Sequence, residues 1–220
     1  LVDINADLKN NTTKSEKQKE NWISQEEVMK KCADLGEIVA EIKGRRKISE
    51  EQYTQLLHAV VLGLSCLQPP RRNSDYTKCL VVKKIPEDNE YNYLDIKNWD
   101  WIFNNYKTKK TYKQVKMPVP EDLVKLLKVY FQYHPHAKAL KLKSFEPFPF
   151  LMTQDGKVID TSTEMTRTLN KIFGKKIGSS LLRNIFLTDK YSDNAKEMAD
   201  DVKAMGTSSN TATHNYIKTD

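Results

Sequence analysis

The period of the hydrophobic pattern switches within this chain, and that switch limits what it can fold into. Tyr53, Leu56, Leu57, Val60, Val61 and Leu64 recur at helical spacing, which makes one helix face core. Pro69-Pro70 stops that helix. From residue 79 the spacing becomes strand-like. Cys79–Val82, Tyr91–Ile96 and Asp100–Phe103 read as short strands joined by polar turns. Pro118 and Pro120 end the block, and helical spacing returns with Leu123, Leu127, Tyr130 and Phe131. Helices flanking one β block predict an α+β fold, mainly α. The expected form is a helical bundle with a small three-stranded antiparallel sheet or β-hairpin.

Local signals place the helix ends. Ser24 with Glu27, and Ser49 with Gln52, have the spacing of capping boxes. Thr161 with Glu164 starts a helix carrying Met165, Leu169, Ile172 and Phe173, which Gly174 breaks. Ser179 and Ser180 open another, anchored by Leu182, Ile185 and Phe186, and Ser192 caps one more with Met198 and Val202. Residues 1–21 are polar and read as a mobile arm. The expected division is 1–23 as arm and linker and 24–220 as one domain, within the size of a single hydrophobic core. The chain does not begin with Met, which predicts an excised fragment. No apolar run approaches the ~20 residues of a membrane span. Cys32, Cys66 and Cys79 match neither a zinc site nor a disulfide framework, and point to an intracellular, reducing setting.

The net charge of +7 suits a polyanion partner, although a solvated basic surface gives the same number. Three stretches concentrate that charge. Arg45, Arg46 and Lys47 form a basic turn, either a solvated linker or a DNA contact. Lys107, Lys109, Lys110, Lys113 and Lys116 interleave with Thr, Tyr and Val. They read as a hairpin with a basic tip, shaped to reach a phosphate, or as an edge strand protected by lysines. Residues 138–149 look like a basic loop with Lys138, Lys141 and Lys143. Within Arg71-Arg72-Asn73-Ser74-Asp75, Asp75 is placed to hold the Arg72 guanidinium if residues 72–76 are helical. The bland alternative is a surface Arg at a helix start. Arg183 shares a helix with buried neighbours, so its head emerges at a cleft, is paired, or lies on the polar face. His134-Pro135-His136 has no acidic or Cys partner at ligand spacing, which argues against a metal.

The order of these residues matters more than any one of them. An Arg with Asp three residues on, a hairpin Lys, an Arg inside Leu181-Leu182-Arg183, and Met205-Gly206-Thr207-Ser208-Ser209 leading to Tyr216 follow one another. Over residues 49–217 this resembles the catalytic domain of tyrosine recombinases, the phage-type integrases. Pro69-Pro70-Arg71-Arg72, Asn105-Tyr106-Lys107-Thr108 and Lys17–Ser24 are closest to integrases of large DNA viruses, virophages and related mobile elements.

The resemblance implies roles. Arg72 is the first phosphate-clamping Arg, with Arg71 the alternative. Lys107 is the hairpin Lys, with Lys110 the runner-up. Arg183 is the second clamping Arg, and Tyr216 the nucleophile. Three family histidines are replaced here by Ser180, Asn184 and Thr207; Ser180 and Thr207 keep a hydroxyl able to donate to a phosphate oxygen. Lys109, Lys110, Lys113, Arg45 and Arg46 are the expected DNA contacts. The implied partner is double-stranded DNA, held by a homotetramer, without metal, ATP or other cofactor. The implied setting is virus-encoded DNA integration in the host nucleus or a cytoplasmic viral factory. The separate helical DNA-clamping domain that usually precedes this one is not expected within residues 1–23. Type IB topoisomerase-like relaxation, or a catalytically decayed DNA-binding protein, are the alternatives, the latter motivated by Ser180, Asn184 and Thr207.

Overall fold

The computed structural model describes residues 13–88, 90–191, 201–202 and 204–206. The fold is α+β, about half helical, with one small mixed sheet. In chain order come α1 (Glu16–Asn21), α2 (Gln25–Ile42), α3 (Glu50–Cys66), the one-turn α4 (Ser74–Thr77), β1 (Cys79–Val82), β2 (Asn92–Asp95), β3 (Asp100–Phe103), the one-turn α5 (Lys109–Tyr112), β4 (Val115–Pro118), α6 (Glu121–Tyr133), β5 (Phe148–Pro149), α7 (Ser162–Phe173) and α8 (Ser179–Tyr191).

The expected caps form. Ser24 and Ser49 each accept from the third residue of their helix, whose side chain returns the bond to the cap backbone. This satisfies two otherwise orphaned backbone donors at each helix start. Ser15 and Gln18 make a third box for α1. Residues 15–23 therefore depart from the expected arm: Ile23 is buried, and the Asn21 side chain accepts from the Lys176 backbone at 2.9 Å. α3 is buried along most of its length and packs on α2, α6 and α7. It has the composition that an all-round apolar helix requires. Gly63 permits the approach to α6, since a Cβ there would meet Leu126 at 2.8 Å.

The sheet corrects the three-stranded expectation. It has five strands in the order β4-β3-β2-β1-β5, and β1 and β2 run parallel while the other pairs are antiparallel. The extra strands come from residues read as a basic lysine run and a basic loop. Val115–Pro118 pairs with β3, and Phe148-Pro149 pairs with β1. The sheet is covered on both faces. Val81, Leu94, Trp101 and Phe103 join the main core, and Val82, Tyr93 and Ile102 form a smaller cluster. The expected hairpin is β3 and β4, but its connection holds the helical turn α5.

Cys32 and Cys66 are joined in a disulfide between α2 and the end of α3, and Cys79 is free and buried. This overturns the reading that the cysteines do not pair. Residues 34 apart in sequence meet only because two helices pack side by side. Among the described residues no helix is long and apolar enough to cross a membrane.

Candidate functional site

The double proline that ends α3 sends the chain across the N-terminal end of the sheet, and Arg71 and Arg72 lie on that crossing. Arg71 is buried at 1 % exposure. Its Nε donates to Asp75 Oδ2 at 2.9 Å. Its guanidinium carbon lies 3.9 Å from the Phe103 ring centre and 5.1 Å from that of Tyr106, positions that favour a cation. The expectation that Asp75 holds Arg72 is thus corrected. α4 begins only at Ser74, and this places Arg71, four residues before Asp75, over the carboxylate.

Arg72 is left half-exposed and turns to the segment at 204–206. Its Nη1 donates to the Gly206 carbonyl at 2.8 Å. Thr108 Oγ1 donates to the same carbonyl, and Arg71 Nη1 to that of Ala204. Gly206 has φ of 64°, and a Cβ at this position would stand 2.6 Å from Arg71 Nη2. Only a glycine lets this backbone lie so close to the guanidinium. The segment is held there by Val202 and Met205, which pack with Leu187 and Tyr191 of α8.

Arg183, on the same helix, is buried at 5 % exposure. It belongs to the same electrostatic cluster. Burial pushes the Asp75 carboxyl up from its ordinary range, while Arg71, Arg72 and Arg183 pull it back down. Three guanidinium charges acting on one carboxylate leave a net positive balance at this place. Asn184, beside Arg183, is buried, and its Oδ1 has no hydrogen-bond partner among the described residues. Ser180, one turn before, is exposed.

Asn92 is a site residue that the sequence did not single out. Buried at the start of β2, it donates to the carbonyls of Asp75 and Asn105 and accepts from the backbone N–H groups of Asn104 and Asn105. Every hydrogen-bonding group of its amide is used. It ties the Arg-bearing turn to the segment at 104–108. Asn73 makes a similar link, donating to Thr166 of α7. A lone Asn in a polar turn gives no signal of such a role, because its partners are set by the parallel pairing of β1 and β2.

Along 106–108 the chain alternates direction. Tyr106 and Thr108 face the arginines, and Lys107 lines a polar groove of about 630 Å³ with Ser74, Asn92 and Asn105. Lys107, Lys109, Lys110 and Lys113 are all exposed. Arg45 and Arg46 are exposed elsewhere, where the Arg45 carbonyl accepts from Gln132 and Tyr133 of α6; they are not brought to the arginine cluster. Thr207 and Tyr216 lie outside the described residues.

The His134-Pro135-His136 stretch is structural. His134 Nδ1 accepts from the His136 backbone, so its Nε2 donates to the Phe150 carbonyl at 3.2 Å. Both ring nitrogens are used, and burial pushes its pKa down to about 4. Among the described residues no three potential metal ligands gather. Comparison with protein-family models, curated proteins and solved structures gave no match.

Proposed function

We propose that the chain breaks and rejoins DNA in site-specific recombination, as a tyrosine recombinase of the integrase type, through a 3′-phosphotyrosine intermediate at Tyr216. The observation that carries the reading is the buried Arg71–Asp75 pair with Arg72 beside it, on whose carboxylate the charge of Arg183 also acts. These residues come from opposite halves of the chain. The same cluster grips residues 204–206, from which the chain runs into the Thr207–Tyr216 stretch.

The arrangement suits phosphoryl transfer. Arg71, fixed by Asp75 and two rings, supplies charge from beneath. Arg72 and Arg183 neutralise the non-bridging oxygens of a phosphodiester and favour its more crowded transition state. An entering phosphate replaces the Gly206 carbonyl on Arg72 Nη1 and Thr108 Oγ1. The Tyr216 phenol, pKa ~10, gives its proton to a solvent water as its oxygen bonds to phosphorus. The bond from phosphorus to the 5′ oxygen breaks, and that oxygen takes a proton from Lys107, or from Lys110 as the alternative donor. Rejoining reverses these steps and conserves the bond energy in the phosphotyrosine.

The test is a nicked duplex that carries the native target and traps the covalent intermediate. The expected result is a protein–DNA adduct with wild type and none with Tyr216→Phe. Absence of any adduct on the native site sinks the reading; relaxation of plasmid without a specific site selects the topoisomerase alternative.

A further inference from the structure

A second cationic site stands at the other end of the sheet. β1 and β2 are parallel, and both start beside the arginine cluster, β1 just after Asp75 and β2 at Asn92. Both therefore end together, after about 13 Å of strand at ~3.3 Å per residue. There Lys83 and Lys84 follow β1, Lys97 follows β2, and Lys143 arrives on the loop before β5. These residues line one groove of about 410 Å³ with Phe145 at its wall. Lys83 is committed to the fold: its Nζ donates to the carbonyls of Leu140 and Leu142 and lies 5.3 Å from the Phe145 ring centre. It pins the loop that carries Lys143. Lys84, Lys97 and Lys143 make no ion pair with a described residue. No acidic side chain lines the groove, and the Asp95 carboxylate accepts from the backbone of Lys97 and from Asn98 rather than from a lysine ammonium.

We infer that this groove binds the phosphate backbone of a DNA duplex, separate from the one held by the arginines. The inference rests on the proposed DNA function for its choice of polyanion. Three solvated lysines from three chain segments, without a buried donor or a convergent set of backbone N–H groups, are poorly built to capture one small ion. They suit a row of phosphates, where each lysine releases a condensed counterion and no single contact needs fixed geometry. With the arginine cluster and the groove at opposite ends of the same strands, one protein molecule contacts two duplex segments.

The experiment uses the full chain with one biotinylated and one fluorescent duplex of about 30 base pairs. Wild type is expected to retain the fluorescent duplex on beads carrying the other. Lys84→Glu/Lys97→Glu/Lys143→Glu is expected to lose that retention by about tenfold or more while still binding one duplex. Its overall salt slope falls by about three, at ~0.9 per contact. Unchanged melting temperature checks folding, and the triple Gln variant replaces the Glu variant if that one does not fold. Retention by the triple variant equal to wild type overturns the inference. So does retention that inorganic tripolyphosphate abolishes at concentrations leaving single-duplex binding intact, which would mark a small-anion site. Retention that depends on the lysines, without any covalent adduct on the native target, supports the groove and removes the recombinase reading. A triple variant that forms adduct at the wild-type rate but still bridges leaves that reading standing and removes the groove.

Discussion

Arg71 and Arg72 are neighbours in sequence and opposites in environment, and their variants separate stability from chemistry. Asp75→Asn leaves the Arg71 guanidinium buried against Phe103 without its counter-ion. The expected cost is about 3–5 kcal/mol, read as a lower urea midpoint. Arg72→Ala removes a half-exposed side chain with one bond to a carbonyl. It is expected to cost under about 1 kcal/mol of stability, and to slow adduct formation by about a hundredfold or more. A comparable stability loss in both variants would contradict this division. His134 sets a pH dependence. Its folded pKa of about 4 lies below its ordinary 6.5, so the unfolded chain takes up this proton first. Its contribution is full above pH 6.5 and declines as pH falls through 4, by about 3 kcal/mol in all. Melting temperature between pH 7 and 4 is expected to fall less steeply in His134→Gln than in wild type. Sequence spacing alone could not have divided the arginine roles. An Asp three residues after Arg72 is also four after Arg71, and α4 starting at Ser74 decides between them.

The elements divide by how far their determinants reach. Helix starts were legible because a capping box closes within four residues, and Ser24, Ser49 and Thr161 cap where their spacing says. β1 and β3 were legible because their apolar runs are contiguous. The parallel pairing of β1 with β2, and the recruitment of Phe148-Pro149 as β5, were not. Those choices are made by partners many residues away, and a two-residue strand has no period to detect. Gly206 was visible in the sequence as part of the Met-Gly-Thr-Ser-Ser run, but its closeness to Arg71 was not. Gly206→Ala meets two obstacles, a left-handed φ of 64° and a Cβ 2.6 Å from Arg71 Nη2. The strain is expected to cost about 1–2 kcal/mol and to loosen the segment from the arginines. Limited proteolysis should then cut wild type more slowly than the variant near residues 201–206. Equal rates would mean that the close approach is not what holds the segment.

Across the whole molecule, the arginine cluster depends on where α3 ends, and α3 ends at the disulfide. Cys66 is the last residue of α3, five before Arg71, and its bond to Cys32 fastens that end to α2. Gln68 continues the anchorage, donating to Tyr76 and accepting from Trp101. The link closes a loop of sequence separation 34, and the chain-entropy relation gives about 4 kcal/mol for a loop of that length. Reduction is therefore expected to lower the melting temperature by roughly 10 °C at this chain size. Cys32→Ser/Cys66→Ser should match the reduced wild type and no longer respond to reductant. The buried Cys79 is a control, because its thiol is already free. Thiol titration of the unfolded, unreduced protein should find one reactive cysteine, and three after reduction. Finding three without reductant would mean that α2 and α3 are held by packing alone. The anchoring of the arginine turn would then rest on Gln68 and the double proline. Because α2 and α3 also bury Val28, Leu35, Val39, Leu56 and Val60 against the core, the reduced protein is expected to stay folded at room temperature. Any loss of adduct formation on reduction then measures the coupling of the helix end to the site rather than global unfolding.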